Sequence, residues 1–453
     1  MREQNKTMSS GIYSKAGNPS KRLSIAKCLT LQSSGLMKPL VIQRSLTTYF
    51  MQALELSLHK DVQAVHSGAV NDLDIDATEH RYLLSGGSDG SLAVHDLQDL
   101  RDDEHNNGLL GSKNYKLVCS ISAGNRNAHK RSIETVQWYP LDTGIFTSSG
   151  TDRVLKIWDA NLLKTAEEYE FSGVVHCHDM STIATKHNFI AVGTDSSVVK
   201  LVDPRAGSAI HSLRGHKEGA VRAVQWSNRD EFILATGGID NFAMLWDVRT
   251  AKGCLRKFQG NKGKKKSGYT PDTTHDGSVN GLAFTADGLH LTTIGTDQKL
   301  YMWDTWTGKK IQTRFPPLSN IKKRSVKFCL TKGGSENFAF IPTGSSITSF
   351  NVWTPGKASH LYGHYNSVNC CVYHEQGNQL ISGGNDQRIL VWTRCGDRDY
   401  DEYLCEKRAA MIEKRTRREE AEVEPLEPQV PLPEAVAQTL DTWSDDDDDE
   451  KGT

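Results

Sequence analysis

The spacing of hydrophobic and polar positions changes between the beginning of the chain and its long central part. Over residues 22–33 apolar residues recur with a moderate helical spacing, and a Ser-Ser-Gly segment ends this pattern. Pro39 then stands where a proline is tolerated in a first helical turn, and a second apolar face follows it. This face consists of Ile42, Leu46, Tyr49 and Phe50. The pattern predicts a helix-loop-helix over residues 22–54, which either packs on the protein's own core as a helical cap or presents its apolar face to a partner.

After Glu55 the apolar spacing falls to every second residue, which is typical of strands, and it persists to about residue 394. One unit recurs within this region. It opens at Gly215-His216, contains two apolar segments, turns at Gly237-Gly238-Ile239-Asp240 and ends at Trp246-Asp247. Similar units begin at His66, at His129, near residue 174, at His275, near residue 324 and at His364. Seven units of about 40 residues predict a repeat architecture.

These units resemble the WD40 repeat family, whose unit of about 40 residues runs from Gly-His to Trp-Asp. The resemblance covers residues 55–394 and implies an all-β fold, a seven-bladed β-propeller. In that family each complete blade contains a hydrogen-bonded tetrad of His, Ser or Thr, Asp and Trp. The resemblance assigns these tetrads to blade two (His129, Ser148, Asp152, Trp158), blade four (His216, Thr236, Asp240, Trp246), blade five (His275, Thr293, Asp297, Trp303) and blade seven (His364, Ser382, Asp386, Trp392).

Such a closed network suits buried polar groups, because a buried acid needs a donor and a buried indole N–H needs an acceptor. Blade three carries Ala191 and Val202 at two of the tetrad positions, and blade six has no matching His or Asp. We therefore expect apolar packing to hold these two blades. Residues 56–65 are expected to supply the outer strand of blade seven, and residues 68–76 to begin blade one.

Composition narrows the classes of function. The net charge of -1 comes from 54 basic and 55 acidic residues, so no global field directs the chain to nucleic acid or membrane. No segment approaches the roughly 18 apolar residues of a membrane span. The polar residues 1–20 lack the apolar core of a secretion signal and are expected to be disordered, with an organelle transit peptide as the alternative. Nine scattered cysteines favour reduced thiols in the cytosol or nucleus.

No chemistry of its own is predicted for the chain. Walker, GxSxG, HExxH and kinase motifs are absent from the sequence, so we expect a binding scaffold rather than an enzyme. Cys177 lies between His176 and His178, but alternate residues of a strand point to opposite faces and cannot share one metal. We expect no metal, cofactor or small-molecule ligand.

Two loops and the end of the chain depart from the repeats. Residues 102–114 are polar, and residues 261–266 form a basic, Gly-rich loop that is either a solvated tip or a contact for nucleic-acid backbone or an acidic partner. Residues 395–453 are predicted to be charged, partly helical and then disordered. Basic clusters within residues 397–424 read as a nuclear address or a solvated helix. Trp443 in the acidic tail reads as a partner anchor or part of a solubilising tail.

One sequence feature points to a particular partner. Trp246-Asp247-Val248-Arg249 resembles the box shared by WD40 substrate receptors of cullin-4 RING ubiquitin ligases, in which the arginine contacts the damaged-DNA-binding adaptor protein. The preceding unit ends Val202-Asp203-Pro204-Arg205 and keeps the acid and the arginine. These receptors also insert an N-terminal helical pair into the adaptor. The implied adaptor-binding residues are Asp203, Arg205, Asp247, Arg249, Ile42, Leu46, Tyr49 and Phe50.

Longer segments, such as residues 82–90 and 134–140, resemble the receptors of this class that act in transcription-coupled nucleotide excision repair. This resemblance implies a nuclear protein that works with the adaptor, the cullin-4 RING ligase, the Cockayne syndrome group B ATPase and the assembly of stalled RNA polymerase II. Direct nucleic-acid binding is not expected, because the basic residues form no broad stripe. The alternative is a non-catalytic WD40 scaffold in another nuclear complex, in chromatin or RNA processing.

Overall fold

A computed structural model describes most of the repeat region and the helix that precedes it. The described residues are 30, 33–35, 38–57, 59–102, 113–250, 253–260, 273–319, 324–331, 337–356 and 358–394. Residues 1–20, most of the first predicted helical segment, the basic loop 261–266 and residues 395–453 lie outside them. None of the helices within these ranges is long and apolar enough to cross a membrane.

The described strands form seven sheets, and the chain is a seven-bladed β-propeller as its sequence predicts. Inner strands such as Val279–Phe284 are buried at every position, because each blade packs between two neighbours. The outer strand Lys164–Glu170 of blade two is largely exposed and carries three glutamates. Charged outer strands of this kind resist pairing with other chains. The first strand of a blade therefore lies nearest the central channel of the propeller, and the fourth strand lies outermost.

The strands of each blade follow one another along the chain. Blade one comprises Val70–Ile75, Tyr82–Gly87, Leu92–Asp102 and Lys113–Ile121. Blade two comprises Ile133–Trp138, Ile145–Gly150, Val154–Asp159 and Lys164–Glu170. Blade three comprises Val175–Met180, Ile190–Thr194, Val198–Asp203 and Ser208–Arg214. Blades four and five comprise Val221–Trp226, Ile233–Gly238, Ala243–Asp247 and Cys254–Lys257; and Val279–Phe284, His290–Gly295, Leu300–Asp304 and Lys310–Ile311. Blades six and seven comprise Cys329–Leu330, Phe338–Thr343, Ser346–Asn351 and Ser359–Tyr362; and Val368–His374, Gln379–Gly384, Ile389–Arg394 and, from the start of the chain, Leu54–Leu56.

The ring closes earlier in the chain than the sequence pattern indicates. Leu54–Leu56 pairs with Ile389–Arg394 and completes blade seven, so the prediction that residues 56–65 supply this strand is wrong beyond Leu56. Lys60–Val62 instead runs parallel to Lys113–Ile121 as a fifth strand of blade one, and Val62 is buried there. Burial of Val62 and pairing with an otherwise open edge explain the change of partner.

The first insertion is also more ordered at its ends than predicted. Asp102 and Asn114, which the sequence places in a polar loop, belong to the long third and fourth strands of blade one and pair with Lys113 and Arg101. Residues 103–112 lie outside the described part of the chain. The extended hairpin provides the edge on which the fifth strand pairs.

One described helix, α1, spans Pro39–Gln52 and forms the second half of the predicted helical pair. Pro39 occupies its first turn, where a missing N–H does not break a helical hydrogen bond. At its end, Met51 is buried in the cluster of blades six and seven, while the guanidinium of Arg394 lies 5.1 Å from the ring centroid of Phe50. The propeller therefore holds the C-terminal end of α1.

Three acids of inner strands join neighbouring blades around the central channel. Asp72, Asp74 and Asp179 accept backbone N–H bonds from the next inner strand over 2.9, 2.8 and 2.6 Å. Burial raises the pKa of Asp72 to about 6 and that of Asp179 to about 7. The Lys327 ammonium lies 3.3 Å from Asp72 and 3.4 Å from Asp74. Nothing in the repeat pattern distinguishes these acids, because their partners come from another blade.

Candidate protein-docking surface

The structure brings the four residues of the predicted blade-four tetrad together. His216 Nδ1 lies 2.9 Å from Asp240 Oδ1, and His216 Nε2 lies 2.8 Å from Thr236 Oγ1. Trp246 Nε1 donates to the same hydroxyl over 2.8 Å. Burial disfavours the charged form of Asp240, but hydrogen bonds from His216 and nearby backbone N–H groups outweigh it and lower the pKa of this carboxyl. The hydroxyl is thus the centre of the network.

The other predicted tetrads have the same geometry. In each, one imidazole nitrogen contacts the acid within 3.0 Å, the other contacts the hydroxyl within 2.8 Å, and the indole N–H donates to that hydroxyl within 3.0 Å. The residues are His129, Ser148, Asp152 and Trp158; His275, Thr293, Asp297 and Trp303; and His364, Ser382, Asp386 and Trp392. These four networks hold four blades rigid, so the loops that join their strands have fixed positions.

Blade one contains a network that the sequence pattern does not identify. His66 Nε2 lies 2.8 Å from Ser85 Oγ, and His66 Nδ1 reaches Asp89 through the hydroxyl of Ser91. The sequence pattern identifies the unit that opens at His66, but His95 stands where blades two, four, five and seven have tryptophan, so no tetrad is assigned to it. The order of His66, Ser85 and Asp89 along the chain was the available signal.

Blade three lacks a hydroxyl at the centre of its network, as its sequence indicates. His176 Nε2 still lies 2.6 Å from Asp195, while Ala191 and Val202 are fully buried among apolar residues. The neighbouring His178 bonds Ser149 of blade two over 2.7 Å. Among the described residues no group of three metal-binding side chains occurs.

The antiparallel order of the strands defines two faces of the ring. We call lower face the one that carries the turns between the first and second strands and between the third and fourth strands of each blade. The Asp-x-Arg sequences of blades three and four lie in turns after the third strand, at Asp203 and Asp247. Helix α1 also ends on this face. Leu54, the first residue of the strand that follows the helix, pairs with Arg394 at the end of a third strand. Both predicted docking elements therefore lie on the lower face.

Arg249 is held in one orientation by its neighbours. Its Nε and Nη2 donate to the two carboxylate oxygens of Asp247 over 2.9 and 2.7 Å, and its guanidinium lies 4.7 Å from the ring centroid of Phe232. The backbone N–H of Arg249 donates to Asp247 as well, over 3.0 Å. The Arg249 side chain remains 53% exposed, against 10% for Asp247. The ion pair with Asp247 thus fixes the orientation of the Arg249 guanidinium, which still faces solvent.

Blade three repeats the turn with a freer arginine. The backbone N–H of Arg205 donates to Asp203 Oδ1 over 3.0 Å, which matches the bond between Arg249 and Asp247. Arg205 is exposed. The two arginines therefore occupy equivalent turn positions in adjacent blades.

Helix α1 contributes a separate part of the surface. Of its predicted apolar face, Ile42 is buried and Leu46, Tyr49 and Phe50 are half-buried, whereas Leu40 and Val41 are 65% and 47% exposed. The helix leads into blade seven, so it and the turn of blade four belong to different arcs of the ring. The structure places the predicted residues on one face but does not bring them into one cluster.

A groove with a volume of about 1000 Å³ lies beside Arg249, between the lower turns of blades three, four and five. Its lining includes Lys186, Arg229 and Arg256, all exposed. Two lining acids, Asp230 and Glu231, already accept backbone hydrogen bonds. Sequence reasoning missed this groove because its walls come from three repeats.

Comparison with known proteins identifies the repeats. The WD40 family, described as WD domain, G-beta repeat, matches residues 121–159, 207–247, 268–304 and 356–393. These segments contain all the tetrad residues of blades two, four, five and seven. These four segments are the ones in which a hydroxyl joins imidazole and indole. Family similarity and hydrogen-bond geometry therefore agree on which blades are complete.

Similarity to individual proteins extends beyond these segments. The WD repeat-containing protein ATCSA-1 of Arabidopsis thaliana is 31% identical over 411 residues, covering 76% of this chain and 89% of that protein. The nuclear distribution protein nudF of Aspergillus niger is 26% identical over 58% of this chain and 60% of its own length. The ribosome biogenesis protein ytm1 of Neurospora crassa is 23% identical over 54% and 53%. The chain belongs to the WD40-repeat family.

Proposed function

We propose that the protein is the substrate-recognition subunit of a cullin-4 RING ubiquitin ligase, similar to the Cockayne syndrome group A protein. In this proposal it docks on the damaged-DNA-binding adaptor and acts in the nucleus, in transcription-coupled nucleotide excision repair at stalled RNA polymerase II, together with the Cockayne syndrome group B ATPase. It performs no catalysis itself. The observation that carries the proposal is the pair of equivalent arginine turns on the face to which helix α1 leads.

The chemistry of Arg249 supports a contact with a protein surface. An arginine presents a planar fork of donors and keeps its charge when it is partly desolvated. Asp247 and Phe232 already hold this fork, so little side-chain entropy is lost when a partner binds. More than half of the side chain is exposed, which leaves surface for an acceptor on the partner.

Helix α1 supports the second half of the dock. Leu40 and Val41 in its first turns are exposed, whereas Met51 near its end is buried against the propeller. A helix fixed at one end and apolar at the other suits insertion into a groove of the adaptor. Full burial of each exposed side chain would contribute about 1.5–3 kcal/mol before the costs of association.

The similarity to ATCSA-1 over most of both chains supports this assignment. The similarity to ytm1, named for ribosome biogenesis, favours a second candidate, a WD40 scaffold in a complex of chromatin or RNA processing. WD40 propellers generally act as rigid scaffolds that present loops. The two candidates differ in whether the adaptor binds directly.

Titration of the full-length protein with its own organism's purified adaptor tests the proposal. We expect Arg249→Ala to weaken the complex at least about tenfold, equivalent to about 1.4 kcal/mol. The unfolding temperature should fall only slightly, because the lost ion pair with Asp247 lies at the surface. Arg388→Ala is the matched control. Arg388 is exposed and also donates its backbone N–H to an acid two residues earlier, Asp386, but it lies in a turn between second and third strands, on the opposite face.

A second variant tests the helix without disturbing the ring. Deletion of residues 22–54 would remove Leu54 and Met51 from the core, so Leu40→Asp combined with Val41→Asp is the sharper change. We expect this variant to lose adaptor binding and remain folded. Failure of the unaltered protein to bind the adaptor, or equal affinities for the Arg249 and Arg388 variants, would contradict the proposed docking.

A further inference from the structure

The upper face of the ring, opposite the proposed dock, carries the turns between second and third strands and the connections from one blade to the next. On blade two this face presents four cations, Arg126, Lys130, Arg131 and Arg153. All four residues are exposed, and none of them forms an ion pair with an acid in the described part of the chain. They form an unpaired basic surface, which we call the blade-two patch.

Backbone hydrogen bonds between two turns hold the blade-two patch together. The backbone N–H of Lys130 donates to the carboxylate of Asp152 over 3.3 Å. The backbone N–H of Thr151 donates to the carbonyl of Ser132 over 2.8 Å. The connection that leads into blade two and the turn between its second and third strands therefore lie side by side, and the cations that they carry share one surface.

A fifth cation reaches this surface from across the central channel. The guanidinium of Arg324, in the segment that precedes blade six, donates to Asn71 Oδ1 of blade one over 3.1 Å. Asn71 in turn donates to the hydroxyl of Ser132, in the connection that carries the patch, over 2.9 Å. The Arg324 side chain is 51% exposed. The basic surface therefore extends from blade two to the upper mouth of the channel.

The acids beneath these cations are largely withdrawn from solvent. Asp152 has a 7% exposed side chain. Glu134 is also 7% exposed and lies 3.9 Å from the guanidinium of Arg324, whose charge it offsets in part. On blade three Asp195 is 49% exposed, so negative charge reaches the surface there. The patch therefore presents positive charge over blade two and ends at blade three.

The composition of the patch favours a nucleic-acid backbone over an acidic protein. Protein interfaces depend on apolar and aromatic anchors at their centre, but the large exposed apolar residues of the described chain all lie away from these two turns. Phosphate contacts need only cations and small polar groups, such as Asn125 and Asn127 of the same connection. Single strands also need aromatic rings on which bases stack, and the patch has none, so a duplex fits better.

We propose that the upper face of blade two binds the phosphate backbone of a nucleic-acid duplex. The described part of the patch consists of turns, with no helix or hairpin that could enter a groove, so the contact does not read the base sequence. Direct nucleic-acid binding is not expected from the sequence, in which these cations lie in separate segments that only the fold brings to one face. The lower face stays free, so the inference does not rest on the proposed docking of the adaptor.

Fluorescence anisotropy of a labelled duplex of about 20 base pairs, as DNA and as RNA, titrated with the full-length chain at several salt concentrations tests the inference. Neutralisation of about four to five phosphates should give a slope of about -4 for log affinity against log salt concentration. Arg131→Glu combined with Arg153→Glu should weaken binding at least about tenfold at low salt and should reduce that slope by about 2. The duplex that binds more tightly identifies the natural ligand as DNA or RNA.

The matched control is Lys164→Glu combined with Lys309→Glu, which changes the net charge equally. Both lysines are exposed and stand where fourth strands begin, on the lower face. This control should bind the duplex like the unaltered chain. Arg131→Gln combined with Arg153→Gln removes the two charges without adding acids, and it should reduce the slope by about 2 with no change in unfolding temperature.

Three results would overturn the inference. The first is that neither duplex binds at low salt, or that the patch variant and the control lose affinity equally. The second is tighter binding of a single strand of the same sequence. The third is binding of polyglutamate that depends on the patch while neither duplex binds, which would assign the surface to an acidic protein. Adaptor affinity is measured separately, so failure of either proposal leaves the other standing.

Discussion

Thr236 offers the sharpest test of how the blades are held together. The residue is fully buried, and its hydroxyl lies 2.8 Å from both His216 Nε2 and Trp246 Nε1. With the imidazole Nδ1–H donating to Asp240, the hydroxyl donates to Nε2 and accepts from the indole. Thr236→Val removes both bonds at once and keeps the branched shape of the side chain.

Thr236→Val leaves two buried polar groups, His216 Nε2 and the Trp246 indole N–H, without a hydrogen-bond partner, and the expected loss of stability follows from them. Each polar group left without a partner costs about 1–3 kcal/mol, so Thr236→Val should lower the free energy of unfolding by about 2–6 kcal/mol. Thr236→Ser keeps the hydroxyl and removes one buried methyl group, which costs about 1 kcal/mol. The difference between the two variants isolates the hydrogen bonds from the packing.

Urea unfolding followed by tryptophan fluorescence measures these free energies. The double variant Thr236→Val with Trp246→Phe provides a second test. In the Thr236→Val background the Trp246 indole N–H has already lost its acceptor. The second substitution should then cost about 1 kcal/mol less than it does alone. A valine variant as stable as the serine variant, or full additivity of the pair, would refute the view that the hydroxyl joins the network.

Two further predictions concern the channel and the helix. Burial raises the pKa of Asp179 to about 7, so the folded protein keeps a proton that the unfolded chain releases above about pH 4. This stabilisation is complete below about pH 4 and is lost as the pH rises through about 7. Asp179→Asn should therefore reduce the fall in the free energy of unfolding between these pH values. Urea titrations at a series of pH values measure this change. Met51→Ala should lower stability by about 2–4 kcal/mol in thermal unfolding, while Leu40→Ala should change it by less than about 0.5 kcal/mol, because only Met51 is buried; equal effects would contradict the proposed anchoring of α1.

The repeat architecture and the tetrads could be predicted because their physics is local. His216, Thr236, Asp240 and Trp246 recur at nearly fixed spacings, and a closed network requires those residue types together. The same reasoning predicts that blade three lacks the central hydroxyl, because Ala191 stands at the Ser or Thr position. Local patterns sufficed wherever one repeat supplied all the partners.

Features built from several repeats could not be predicted in this way. Lys60–Val62 is a three-residue strand with two charged residues, and its pairing depends on an edge that follows about 50 residues later. Asp179 bonds Trp226 of the next blade, and no spacing within its own repeat reports that contact. The groove beside Arg249 likewise combines turns of blades three, four and five.

The sequence Trp246-Asp247-Val248-Arg249 divides between the blade network and the proposed docking surface. Trp246 is fully buried and bonds Thr236, so it belongs to the blade network. The carboxylate of Asp247 instead accepts three hydrogen bonds from Arg249, through the backbone N–H, Nε and Nη2. Those bonds lower the pKa of Asp247, which keeps its carboxylate charged. The acid therefore orients the arginine, and the boundary between the blade network and the proposed docking surface lies between Trp246 and Asp247.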